Sequence, residues 1–313
     1  MRYLQVWFIS LLSIASWISA AEDTVEPLQT IFQWNDPLQL RVTEIALKNG
    51  ARAEMSYVLD FRSNEHDAFR VKMTALEFIS INGSNVTEEM RQQLRPSIES
   101  FEKMPAFIVD QQGQLIDIVG IKTALAAVGE MTGKSENDQR AALQSEEAQA
   151  LLKAALSAYW GCWVASWIGF PAQPDEVWVE DFDEQILPGT NQTIKGFRKY
   201  SHLGKVSDEN ELVHLRIDST MEDPSMTQAV KEMLTNMDIS AGREPDPELD
   251  SIPNMIGDSM IEVKIDPSTL RPVWAKRSKT IRMDSDLPKY ESLRRHEEHE
   301  YTFHWNSAQH SAR

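Results

Sequence analysis

Cysteine is almost absent from this chain. Cys162 is the only one in 313 residues, so no intramolecular disulfide can form. It sits in an apolar, aromatic segment, the setting of an inert buried thiol. A catalytic thiol needs an electropositive and partly exposed site instead. Basic charge is also scarce. Lys and Arg number 31 against 48 Asp and Glu, for a formal net charge of -17. That balance excludes a nucleic-acid binder, because an acidic surface repels phosphate. Catalytic signatures are missing too: there is no Gly-x-Ser-x-Gly elbow, no phosphate-cradling Gly-rich loop and no Gly-x-Gly-x-x-Gly. The acidic stretches Asp246–Asp250 and Asp284–Asp286 lack the central glycine of a calcium loop. What remains is 42% apolar and 25% charged, a globular composition. The chain is long enough to bury a core without disulfides.

The N-terminus reads as an address. In residues 1–21, Arg2 opens a short positive region, an apolar run follows from Tyr3 to Ile18, and Ser19 and Ala21 are small residues at a cleavage position. Glu22 and Asp23 come next. Charge, length and exit chemistry are those of a secretory signal peptide. The apolar run is shorter than the ~20 residues of a spanning helix, so no stable membrane span is expected once it is cleaved.

Beyond residue 21 the pattern alternates between strand and helix signals. Leu38–Lys48 alternates apolar and polar residues like a half-buried strand, and Asn49-Gly50 is a turn signal. Ala53–Arg62 and Phe69–Ile81 form a hairpin. Thr87 caps an amphipathic helix over Glu88–Met104, with a break expected near Pro96. Pro105–Gly120 is a second hairpin. Val177–Phe182, Thr193–Tyr200, Leu212–Ser219, a helix opened by Asp223-Pro224-Ser225, and then Met260–Asp266 and Leu270–Met283 repeat that order. The expectation is an α+β fold of internally duplicated, antiparallel curved sheets, each with a packed helix. Residues 22–134 are the first α+β unit, 135–170 a linking helical segment and 171–313 the second unit. In architecture this layout resembles the half-barrel of periplasmic lipoprotein carriers, with no motif matched residue by residue.

The linking segment carries the sharpest feature. Ala148–Phe170 is the most apolar stretch after the leader and reads as one helix ending near Gly169. Leu152, Leu156, Trp160, Trp163 and Trp167 follow 3–4 spacing and share a face. Three readings of that face stand side by side. It packs as core between the units, or it lines a cavity for an apolar ligand through Trp160, Trp163 and Trp167, or it contacts a membrane interface, where indoles are at home.

The C-terminal stretch Arg294–Trp305 holds His296, His299 and His304. A zinc protease pattern would set two histidines on one helical face. Here alternation argues for a solvated final strand, on which His296 and His299 point to opposite faces. His296 and His304 share a face but stand about 26 Å apart. Neither a metal nor a cofactor is expected. Asp181 and Asp183 are a carboxylate pair of the type that hydrolyses glycosides, but acids are common in this chain. Asn82, Asn85 and Asn191 begin glycosylation sequons, which polar loops explain equally well.

Two functions remain. The first is an exported protein, periplasmic or extracellular, that binds an apolar or lipid-like small molecule or a partner protein without catalysis. The second is an exported hydrolase that uses carboxylates or histidine. An apolar cavity without converging titratable groups would favour the first. A cleft with two carboxylates would favour the second.

Overall fold

Strict alternation builds the first strand. Leu38, Leu40, Val42, Glu44, Ala46 and Lys48 are buried, and the residues between them are exposed or half-buried. A period of two puts the buried set on one face of a sheet. A computed structural model describes residues 28, 30–34, 38–64, 67–131, 143, 146–171, 173–174, 176–184, 192–207, 210–221, 224–240, 244–245, 247, 249, 252–283 and 295–305. The leader, most of Ser135–Glu147, and Asn191 lie outside the described residues.

The elements in order are β1 (Leu38–Lys48), β2 (Ala51–Ser63), β3 (Phe69–Ile81), β4 (Ser84–Asn85), α1 (Glu88–Phe101), β5 (Ala106–Val109), β6 (Leu115–Val119), α2 (Ile121–Met131) and α3 (Glu146–Trp163). A 3-10 turn over Ala165–Trp167 follows. Then come β7 (Val177–Glu184), β8 (Ile194–Ser207), β9 (Asn210–Met221), α4 (Ser225–Ser240), β10 (Met255–Asp266), β11 (Arg271–Met283) and β12 (Arg295–His304).

The expected pair of duplicated sheets is corrected. The strands form one twelve-stranded antiparallel sheet in the order β6-β5-β3-β2-β1-β12-β11-β10-β9-β8-β7, with β4 beside β3. Strand accounts for 51% of the described residues, which hold four α-helices, so the fold is mainly antiparallel β and not a balanced α+β. The last strand decides this. β12 pairs with β1 on one side and β11 on the other, so it lies in the middle of the sheet instead of forming a solvated end. Its inward residues Glu297, Tyr301 and Phe303 are buried.

The sheet curls. Phe107 on β5 and Tyr301 on β12 lie four strand positions apart, which would separate them by roughly 19 Å in a flat sheet. Both rings contact Trp163, at 6.3 and 5.5 Å between centroids. Their own centroids are therefore no more than about 12 Å apart, and the sheet must wrap around α3 to allow it. A bulge in β3 contributes bend: Ala75 sits at φ 55, where the pairing with β2 shifts register, and Glu102 Oε1 accepts its N–H at 2.8 Å.

α3 lies in the trough against β10, β11 and β6. It ends at Trp163, earlier than Gly169, because Val164 leaves helical geometry at φ -139 and ψ -61. The Trp167 indole then donates to the Cys162 carbonyl at 2.8 Å, satisfying one of the last free carbonyls of the helix. α1 begins at the Thr87 cap and runs through Pro96 without stopping. α4 covers β8 and β10, where a Cβ on Gly257 would lie 3.3 Å from the Met226 side chain. On β8, a Cβ on Gly196 would clash with the Thr220 carbonyl oxygen and lie 2.6 Å from the Phe182 ring. No described helix is long and apolar enough to cross a membrane.

Candidate functional site

The inner face of the sheet has two characters. At one end is an aromatic bed. Trp160, Trp163 and Trp167 are each 0% exposed. Trp160 meets Phe32, Trp34 and Phe107 at 6.2, 5.5 and 6.0 Å, and its indole donates to the Gly113 carbonyl at 2.8 Å. Trp163 meets Phe107, Tyr159, Tyr301 and Phe303. Trp167 packs on Phe170, which packs on Tyr200. The three tryptophans are thus enclosed by protein, and Trp167 reaches its place from the 3-10 turn rather than from the helical stripe. Residues 30–34 strap this end: Ile31 and Gln33 donate backbone bonds to the Pro267 and Thr269 carbonyls.

A polar row crosses the same face. Lys48 on β1 stands opposite Glu297 on β12, which stands opposite Lys279 on β11. The row continues through Ser259 and Ser219 to Arg198 and Glu180. On one flank the row Ile281, Gly257, Met221, Gly196 and Phe182 meets the apolar residues of α4. On the other flank Ala46, His299 and Arg277 lie side by side toward α3. The polar row is therefore a seam between two apolar clusters.

Charge is distributed unevenly along the seam. At the Arg198 end one cation faces two carboxylates. Arg198 is 2% exposed and grips Glu184 through both terminal nitrogens at 2.9 and 2.6 Å. Glu180 lies 3.6 Å away and also accepts the Tyr200 hydroxyl. Toward β1 cations outnumber carboxylates among the described residues. Lys48 contacts Glu297 at 3.4 Å, and Arg295, Lys279 and Arg277 share the neighbourhood. Burial pushes the Lys279 ammonium down to about 8, opposed by Glu297 and aided by Arg295 and Arg277. Burial lowers Lys48 in the same way.

Beside them His299 Nδ1 lies 2.7 Å from Glu44 Oε1. A carboxylate only accepts, so Nδ1 carries the proton in that bond. Burial, then the charge of Arg277, holds the imidazolium below its ordinary range. The Arg277 guanidinium stacks 4.1 Å over the Tyr159 ring. Burial raises the Tyr57, Tyr159 and Tyr301 hydroxyls and pushes the Cys162 thiol up to about 12. Arg277 Nε, the Trp163 indole N–H and the Tyr301 hydroxyl are buried with no hydrogen-bond partner among the described residues. The Tyr57 hydroxyl feels the Glu44 carboxylate without making a bond of ordinary geometry.

The residues that suggested hydrolysis do not converge. Asp181 and Asp183 are exposed on the outer face of β7, an edge strand. The inward acids of that strand, Glu180 and Glu184, are committed to Arg198. His296 and His304 face outward and bond Thr280 and Thr43, while His299 faces inward. Among the described residues no group of three or more His, Cys, Asp or Glu is placed to hold a metal.

Sequence reasoning missed the basic seam, although a signal for it exists. In β1 the charged Glu44 and Lys48 fall on the apolar set of a strictly alternating strand, and in β11 Arg277 and Lys279 continue the inward set begun by Ala275.

No protein-family profile matches the chain, and no curated protein matches it. Among solved structures it is similar to lipovitellin, in a structure concerned with lipid–protein interactions, at a TM-score of 0.41 and 10% identity. The match covers 85% of this chain and 25% of that one, so this chain spans about a quarter of the lipovitellin chain.

Proposed function

We propose that this is an exported, non-catalytic binding protein for an apolar or lipid-like ligand. The observation that carries the reading is the curled sheet, whose inner face wraps an apolar, aromatic interior while a half-buried row of cations crosses the same face. The tryptophans are closed off by protein, so the apolar body of a ligand would enter by displacing α3 or the strap of residues 30–34 from that interior. Export rests on residues 1–21, and N-terminal sequencing of the exported protein should begin at Glu22. The hydrolase reading has less support, because its inward carboxylates on β7 are both held by Arg198.

Native mass spectrometry of protein purified from its host tests the reading. The expected result is a retained adduct that organic solvent extracts and that rebinds. A bare mass, together with no rebinding of any long-chain amphiphile, would overturn it.

A further inference from the structure

The open sheet has two edges, and they are built differently. β6 is short, and its pairing with β5 slips between Ile108 and Val109, so Ile116 is left out of register. Such a bulge breaks the flat row of backbone groups that a further strand needs. Asp117 next to it is bonded to Lys153 of α3 at 2.9 Å, and α3 packs along β6. Among the described residues β7 lacks both guards. Its 8 residues pair with β8 in unbroken register, and no described strand pairs with its other side. Val177 and Val179 are 57% and 55% exposed on its outer face, and Phe197 of β8, diagonal to Val179, is 39% exposed. A flat edge with uncovered β-branched side chains is a template for another strand.

We propose that the free edge of β7 receives an extended, lysine- or arginine-bearing segment of a partner protein, which adds to the sheet as a further strand. The edge lies outside the trough, so its occupant is independent of any ligand held there.

Charge selects that occupant. β7 carries the acids Glu180, Asp181, Asp183 and Glu184. Arg198 holds Glu180 and Glu184 on the inner face, and Lys195 lies 3.8 Å from Asp183. Asp181 has no ion-pair partner among the described residues. A cation on the incoming strand opposite Asp181, with an apolar residue two positions along opposite Val179, answers both features. A second copy of this chain does not. Opposite residues of antiparallel strands share a face, so β7 meets itself along nearly its whole length only with Glu180 against Glu180 or Asp181 against Asp181. Either register sets like charges directly opposite, which is destabilising.

The test gives the purified protein a peptide of β7's own length that alternates lysine with valine. Binding is read by isothermal titration calorimetry, and its place by amide hydrogen exchange. Of two control peptides, one carries glutamate for lysine and the other carries proline at alternate positions, which removes ladder donors. The variants are Asp181→Lys and Val179→Glu, both at exposed sites and each checked by thermal melting. The expected result is that only the lysine peptide binds, that exchange slows in β7 but not in β6, and that each variant binds at least about fivefold more weakly. Added salt should weaken the binding. No binding of the lysine peptide overturns the edge site. Equal binding of the proline peptide overturns strand addition. Binding that both variants keep comes from the acidic surface at large and overturns the location. A dimer of the peptide-free protein in ultracentrifugation, dissolved by Val179→Glu, would make a second copy the occupant and overturn the basic partner.

Discussion

Two ion clusters share one row of the sheet and are built on opposite logic. Around Arg198 a single buried guanidinium meets Glu180 and Glu184, and Tyr200 satisfies a remaining acceptor. Around Lys279 the cations outnumber their carboxylates, and a guanidinium nitrogen is left without a partner. In the first, two carboxylates share one cation, which grips Glu184 through both terminal nitrogens. In the second, burial disfavours the charged lysines. The sign of the excess, more than burial, separates the two clusters.

Substitutions should widen that contrast. Arg198→Met leaves two half-buried acids without their cation and should cost about 3 kcal/mol, read from urea unfolding midpoints. A loss under about 1 kcal/mol would mean that the triad is solvated and that the contrast is false. Trp163→Ala, in the aromatic bed, should cost about 3 kcal/mol, toward the low end for a large aromatic because its indole N–H gives up no hydrogen bond. A melt equal to wild type would show that α3 is not held in the trough.

Lys279→Met should do the reverse and leave the ligand-free protein as stable as wild type, or more so, near pH 7, because it removes a charge that burial disfavours. The sign can be followed through pH. Folded Lys279 titrates near 8 against 10.5 for the ordinary side chain. Between those values the unfolded chain holds the extra proton, so this lysine makes stability rise with pH across that window, and its penalty is fully present below it. The advantage of Lys279→Met should therefore shrink as pH climbs from about 8 to about 10.5, with Cys162 and the tyrosines cancelling in the difference. A gap that stays constant with pH would show that Lys279 is solvated.

The smallest effect belongs to His299. Its folded pKa lies below 6.5, so the unfolded chain takes up a proton first and stability falls as pH drops through that value. His299→Gln should flatten that fall. An unchanged acid limb would place the titration elsewhere.

Much of the fold was legible along the chain. β1 and β3 begin and end where alternation puts them, and Thr87 caps α1 through the Met90 N–H. The joining of the sheet was not legible, because β12 meets β1 through pairs such as Arg41 with His304, which no local window contains. The end of α3 was misplaced because 3–4 spacing persists past Val164 although the backbone does not. The tryptophans stood out as a run, whereas the basic seam is assembled from β1, β11 and β12. Each strand carries only one or two of its charges, so the excess appears only once the strands are aligned.

If the apolar part of a ligand enters the aromatic trough, a brominated fatty acid should reach the tryptophans there. Bromine quenches indole emission only at short range, and Trp160, Trp163 and Trp167 lie together in the trough. The account predicts saturable quenching of the delipidated protein by a bromododecanoate. Dodecanoate should compete it away, and Trp163→Phe should weaken it. Emission that stays unquenched while the same probe binds by calorimetry would place the ligand elsewhere and contradict the account.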